Sequence, residues 1–195
     1  MVEELVELAS HPKVVAIGEA GLDYHYDYSP RDVQKKSFRT HIAAARETGL
    51  PLVIHAREAD ADVARILEEE TKKGAFPFVL HCFTSGPQLA RAGLALGGYI
   101  SFSGVVTFKN AQALRDIALA VPADRLLVET DAPYLAPEPM RGKTNEPSFV
   151  AHIAARLAAL RGVRETEMAR MTTENFFRLF KKVPRSALKA PLSAA

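Results

Sequence analysis

The chain is predicted to adopt an α/β fold, a TIM-type (β/α)8 barrel incomplete at its N-terminus, and three features carry that prediction. Short apolar runs rich in β-formers alternate with helical patterns along the chain, which calls for a parallel sheet with right-handed crossovers. Four of these runs finish on a residue able to bind metal: Val14-Val15-Ala16-Ile17-Gly18 on Glu19, Leu52-Val53-Ile54 on His55, Phe78-Val79-Leu80 on His81, and Leu126-Leu127-Val128 on Glu129-Thr130-Asp131. Ligands at the C-terminal ends of several strands mark a barrel more than a doubly wound sheet. The turn Gly18-Glu19-Ala20-Gly21 also lacks the glycine pattern of a dinucleotide-binding fold.

Taken in order, Val2 to Ala9 has helical apolar spacing and stops at His11-Pro12. Ser29-Pro30 opens a second helix, with Ser29 as N-cap and Pro30 at the first helical position; Val33, Phe38, Ile42 and Ala45 form its buried face and Gly49 ends it. The helix from Asp60 to Lys73 buries Val63, Ile66 and Leu67, leaves Glu68, Glu69, Glu70, Lys72 and Lys73 as a solvated end, and closes at Gly74. Gln88 to Leu96 reads as a short helix, Tyr99 to Phe102 as a strand without a ligand at its end, and Asn110 to Ala120 as a helix. A proline-rich loop from Pro133 to Pro147, long enough to be functional, precedes helices at Ser148 to Leu160 and Glu165 to Phe180. Residues 1–183 are expected to form one partial barrel domain, and residues 184–195 a flexible tail.

Composition bounds the function. With 195 residues, 48% of them hydrophobic, the chain can bury one sizeable core. A net charge of +2 excludes an avid nucleic-acid coat, so any such substrate must be held locally. A single cysteine, Cys82, excludes an internal disulfide and suits a reducing compartment. The first ten residues do not resemble a signal peptide, and no segment is apolar enough to span a bilayer. A cytoplasmic protein with no membrane partner is expected.

Glu19, His55 and His81 make a two-histidine, one-carboxylate set, a catalytic metal combination that leaves a position for water. Taken alone, either histidine reads equally well as a satisfied core residue; four such residues at strand ends make the ligand reading the better one. Arg57 and Lys143 fall in strand-end loops, placed to hold phosphate oxygens, against the plainer reading of surface ion pairs. His25 is a further substrate-binding candidate, against that of a solvated loop histidine. Asp23, Glu129 and Glu146 are expected to orient ligands and loops. Cys82, next to His81 in a strand pattern, is expected to point to the opposite face as a small buried hydrophobe.

The segments Ala16-Ile17-Gly18-Glu19-Ala20-Gly21-Leu22-Asp23-Tyr24, Pro51-Leu52-Val53-Ile54-His55-Ala56-Arg57, Leu80-His81-Cys82-Phe83 and Glu129-Thr130-Asp131-Ala132-Pro133-Tyr134-Leu135 resemble successive signatures of the TatD family of metal-dependent hydrolases and deoxyribonucleases. The resemblance runs from about Leu5 to Phe180, through Arg141-Gly142-Lys143 and Asn145-Glu146-Pro147. It implies a barrel of the metal-dependent hydrolase kind that cleaves phosphodiester bonds in DNA, exonuclease-like, with one or two divalent ions, Mg²⁺, Mn²⁺ or Zn²⁺. It also implies Glu19, His55 and His81 around one ion, Glu19 bridging to a second, and Asp131 as a ligand of that second ion and proton acceptor from water. Glu19 and Asp131 are thus the catalytic carboxylates.

The family's opening His-x-His pair has no counterpart among the six histidines of this chain, so the ion nearest Asp131 is expected to be the weaker. Only five strands are legible, and the first three strand–helix units of a family barrel are expected to be missing from the sequence. The alternative to an enzyme is a shortened, impaired or inactive relative that self-associates through an exposed barrel edge.

Overall fold

Residues 1–188 are described in the computed structural model of the protein. Helices and strands alternate as α1 (Val2–Ala9), β1 (Ile17–Asp23), α2 (Arg31–Thr48), β2 (Leu52–Arg57), α3 (Asp60–Thr71), β3 (Phe78–Leu80), α4 (Pro87–Ala95), β4 (Tyr99–Phe102), α5 (Gln112–Ala120), β5 (Leu126–Val128), α6 (Val150–Arg161) and α7 (Glu165–Leu179). The five strands pair in chain order, β1-β2-β3-β4-β5, and every pairing is parallel. This is a partial (β/α)8 barrel, as the alternation predicts.

The two faces of the sheet follow from the two-residue period of a strand. Leu22, Leu52, Ile54, Phe78, Leu80, Ile100, Phe102 and Leu126 are buried in the main core with Phe38 and Ile42 of α2, Val63, Ile66 and Leu67 of α3, and Ile153 and Leu157 of α6. Each large side chain buried this way stabilises by about 1.5–3 kcal/mol. The alternate positions Val53, Val79, Tyr99 and Leu127 gather in a second, smaller cluster with Leu179 and Phe180 at the end of α7. That second face carries the site, because His55, His81 and Glu129 each lie two residues beyond Val53, Val79 and Leu127.

Several local expectations are corrected. Pro30, not Ser29, is the N-cap of α2, and the Ser29 carbonyl is taken by Gln34 Nε2 at 2.9 Å. Phe38, Ile42 and Ala45 are buried, but Val33, in the first turn, is exposed. α5 begins at Gln112 after a turn closed by Ala111 N donating to Phe108 O at 3.2 Å, and α6 begins after a short 3-10 turn at Pro147–Phe149. Glu70, expected in solvent, is only 3% exposed. It accepts from Arg39 Nη1 at 2.6 Å, Lys73 Nζ at 2.7 Å and Arg46 Nη2 at 3.1 Å, so two cations from α2 draw it into the α2–α3 interface. Of the expected tail, Pro184 to Leu188 are described: Arg185 pairs with Glu174 of α7 at 2.6 Å, and the remaining residues lie outside the described range.

Candidate metal centre

Glu19 does not sit at a strand tip. It lies inside β1, where the register against β2 slips between Ile17↔Leu52 and Ala20↔Ile54. Three residues of β1 there span two of β2, a bulge of the kind that re-aims a side chain beside an active site. Gly21 makes the next step feasible. It pairs with His55 at φ +155°, and a Cβ there would lie 1.9 Å from the His55 carbonyl oxygen. Only glycine lets β1 approach β2 at the level of that histidine.

The result is a cluster centred on one carboxylate oxygen. Glu19 Oε1 lies 2.7 Å from His81 Nε2 and 3.1 Å from His55 Nδ1. The second nitrogen of each ring meets a carboxylate of its own: His55 Nε2 is 3.0 Å from Asp23 Oδ2, and His81 Nδ1 is 3.1 Å from Glu129 Oε1. An imidazole held from behind by a carboxylate, with its other nitrogen aimed at a common point, is the usual arrangement of a histidine metal ligand. One ligand atom from each of Glu19, His55 and His81 lies within 4.8 Å of the others, and His81, Glu129 and Asp131 form a second such group. These five residues therefore fall into two overlapping groups that share His81. The donor set, imidazole nitrogens and carboxylate oxygens, suits a divalent ion.

Electrostatics bind the cluster together. Hydrogen bonding to His55 first, and to His81 next, holds the Glu19 carboxyl well below the usual carboxylate range. The same Glu19 contact raises the His55 imidazole. Burial works against a charged His81, but its bonds to Glu129 and Glu19 outweigh it and raise that imidazole to about 10. Burial pushes the Asp131 carboxyl up.

Asp131 owes its position to a loop and to one asparagine. Its φ is +58°, a conformation that aspartate tolerates better than most residues. Asn145, 3% exposed, donates from Nδ2 to Thr130 O at 2.7 Å and Tyr134 O at 2.5 Å, while its backbone N–H donates to Pro133 O at 3.1 Å. The far end of the proline-rich loop is thereby tied to both sides of Asp131. Cys82 departs from the expected orientation. Its φ of +41° breaks the strand alternation after His81, and Sγ reaches Ser103 Oγ at 3.1 Å and Asp131 Oδ2 at 3.5 Å. Burial pushes its thiol up to about 12, so it stands beside Asp131 as a neutral donor.

The substrate-binding candidates lie outside the cluster. His25 Nδ1 is 2.7 Å from Glu58 Oε1, Arg57 lies with Cζ 4.8 Å above the Tyr26 ring, and Lys143 is exposed. Among the described residues, no carboxylate pairs with Arg57 or Lys143. Glu146 is a loop residue, bonded to Ser148 and, through its backbone N–H, to Asn145 Oδ1 at 2.9 Å. A cavity of 720 Å³ between α4 and α5 is apolar and lies away from the cluster. A 640 Å³ cavity on the site face has His81 and Glu129 in its wall.

Comparison with known proteins gives this cluster a family. The model of the TatD related DNases matches residues 1–181. The chain belongs to the TatD family. It is 50% identical over 175 residues to the uncharacterized metal-dependent hydrolase YabD of Bacillus subtilis, covering 90% of this chain and 68% of that relative. It is 40% identical over 182 residues to a protein of Pantoea vagans named 3'-5' ssDNA/RNA exonuclease TatD, covering 91% of this chain and 70% of that relative. The crystal structure of YjjV, a TatD homologue from Escherichia coli, superposes with a TM-score of 0.84 at 31% identity, over 94% of this chain and 70% of that one. The TatD relatives are metal-dependent hydrolases, and the present chain is a hydrolase of that kind.

Proposed function

We propose that this TatD-family hydrolase cleaves phosphodiester bonds in nucleic acid, with DNA as substrate and trimming from a strand end as the mode of action. The observation that carries the reading is the convergence of His55 and His81 on Glu19 Oε1, at 3.1 and 2.7 Å, with Asp23 and Glu129 behind the two rings. Glu19, His55 and His81 are the ligand set, and Asp131 with His81 and Glu129 offers the neighbouring group. A divalent ion held by Glu19, His55 and His81 would supply a water of lowered pKa and neutralise charge on the phosphate. Asp131, its proton affinity raised by burial, accepts the proton of the attacking water. Arg57 and Lys143, both exposed, hold phosphate oxygens, and His25 lies on the substrate's path.

No helix among the described residues is long and apolar enough to cross a membrane. The reading keeps the enzyme in the cytoplasm. Neither the relatives nor the fold supports self-association through the β1 edge.

The test is cleavage of an end-labelled single-stranded oligodeoxynucleotide in Mg²⁺ or Mn²⁺. Stepwise shortening from one end, abolished by chelator and reduced at least about 100-fold by His55→Ala or His81→Ala, is the expected result. Cleavage that survives both substitutions, or an intact oligonucleotide with wild-type protein, contradicts it.

A further inference from the structure

The loop leaving β1 exposes more aromatic surface than its packing uses. From Asp23 to Pro30 it reads Asp-Tyr-His-Tyr-Asp-Tyr-Ser-Pro, and its three tyrosines have different surroundings. Tyr24 is tied to the helices: its hydroxyl donates to Asp62 Oδ2 at 2.7 Å, and Arg31 lies 4.1 Å above its ring. Tyr26 and Tyr28 are stacked on each other instead, with centroids 5.2 Å apart and planes within 5°, and they remain 51% and 88% exposed. A single exposed ring is ordinary; two parallel rings standing together in water keep an aromatic face open.

The pair is anchored to the metal cluster. The backbone N–H groups of His25 and Tyr26 donate to Asp23 Oδ1 at 3.0 and 2.8 Å, while the other oxygen of the same carboxylate, Oδ2, lies 3.0 Å from His55 Nε2. One side chain thus fixes both the orientation of His55 and the course of the tyrosine loop. Two cationic or polar groups complete the surface: Arg57, with Cζ 4.8 Å above the Tyr26 ring, and His25, edge-on to that ring at 4.9 Å.

We propose that Tyr26 and Tyr28 form a stacking subsite for an unpaired base of single-stranded nucleic acid, with Arg57 beside it for the phosphate. The chemistry selects that occupant. Flat aromatic rings next to a guanidinium match the alternation of base and phosphate along a single strand, and stacking is tolerant of base identity. Within a duplex each base already has neighbours on both faces, so only a single strand or a frayed end can offer one. The subsite would therefore make the enzyme prefer single strands. This inference rests on the nucleic-acid reading above for its substrate, but binding can be measured apart from cleavage.

The experiment compares two fluorescein-labelled probes about twelve nucleotides long, an oligothymidylate and its abasic counterpart, by anisotropy in chelator with the full chain. Wild-type protein is expected to bind the oligothymidylate more tightly. Tyr28→Ala and Tyr26→Ala should each weaken that binding by about 5- to 150-fold and leave binding of the abasic probe unchanged, whereas Tyr28→Phe should keep the preference. Equal affinity for the two probes, equal weakening of both, no effect of either alanine, or no binding at all overturns the proposal. Failure of the hydrolase reading looks different: in Mn²⁺ the oligothymidylate would stay intact with wild-type protein while the stacking preference persisted.

Discussion

Each imidazole of the cluster meets two carboxylates, one shared and one of its own. Glu19 is common to His55 and His81, whereas Asp23 serves only His55 and Glu129 only His81. The shared contact defines where an ion would sit, and the separate contacts decide which nitrogen faces it. Asp23→Asn keeps an oxygen for the loop N–H groups yet removes the negative charge behind His55, and Glu129→Gln does the same for His81. Each is expected to lower Mn²⁺ affinity 10- to 100-fold, measured by titration at fixed pH. Unchanged affinity in both would mean that these carboxylates only pack beside the rings. The positions of His55 and His81 on the site face were readable in the sequence because each continues the alternation of a strand by two residues. Asn145 and Cys82 were not, since one acts across a loop onto Thr130 and Tyr134 and the other depends on a positive φ that no local pattern announces.

Strands deliver the candidate ligands, but helix pairs hold the strands in place, and one such pair is pinned by charge. Glu70 of α3 is buried among Arg39 and Arg46 of α2 and Lys73, while Arg39 also reaches Glu69. Burial alone would raise the Glu70 carboxyl, and the bonds from Lys73, Arg39 and Arg46 overcome that and lower it. A carboxyl depressed on folding binds fewer protons in the native state than in the unfolded one. Its stabilisation is therefore complete above the ordinary carboxylate pKa and is lost as pH falls through the depressed value. Glu70→Gln is expected to cost about 3 kcal/mol at neutral pH and to flatten the loss of stability below about pH 4.5, as read by urea unfolding across pH. An unaltered acid slope would remove Glu70 from the account. Periodicity placed α3 correctly but put Glu70 in solvent, because Arg39 and Arg46, which draw it inward, sit 31 and 24 residues earlier on another helix and no spacing rule reaches that far. The bulge in β1 was hidden for the same reason: it is a relation between two strands, in which Gly18 and Glu19 fall opposite Val53 of β2.

At the level of the molecule, four of the five parallel strands bring three carboxylates, Glu19, Glu129 and Asp131, and two imidazoles, His55 and His81, together on one sheet face. The barrel class was legible because strand–helix alternation and ligand-type residues after apolar runs are both local. The division into two groups sharing His81 was not, because it depends on the order and twist of the strands. Against the cost of burial, the carboxylates beside His55 and His81 raise both imidazoles, His81 to about 10, and so favour their protons. An ion entering the site must displace them, so binding should release protons and strengthen as pH rises. Calorimetric titration of the metal-free chain with Mn²⁺, repeated in buffers of different ionisation enthalpy, reads both quantities at once. Saturable binding with proton release in the wild type, lost in Glu19→Gln, His55→Ala and His81→Ala, is the predicted result. Binding that persists undiminished in all three variants, or its absence from the wild type, would contradict a metal centre built on Glu19, His55 and His81.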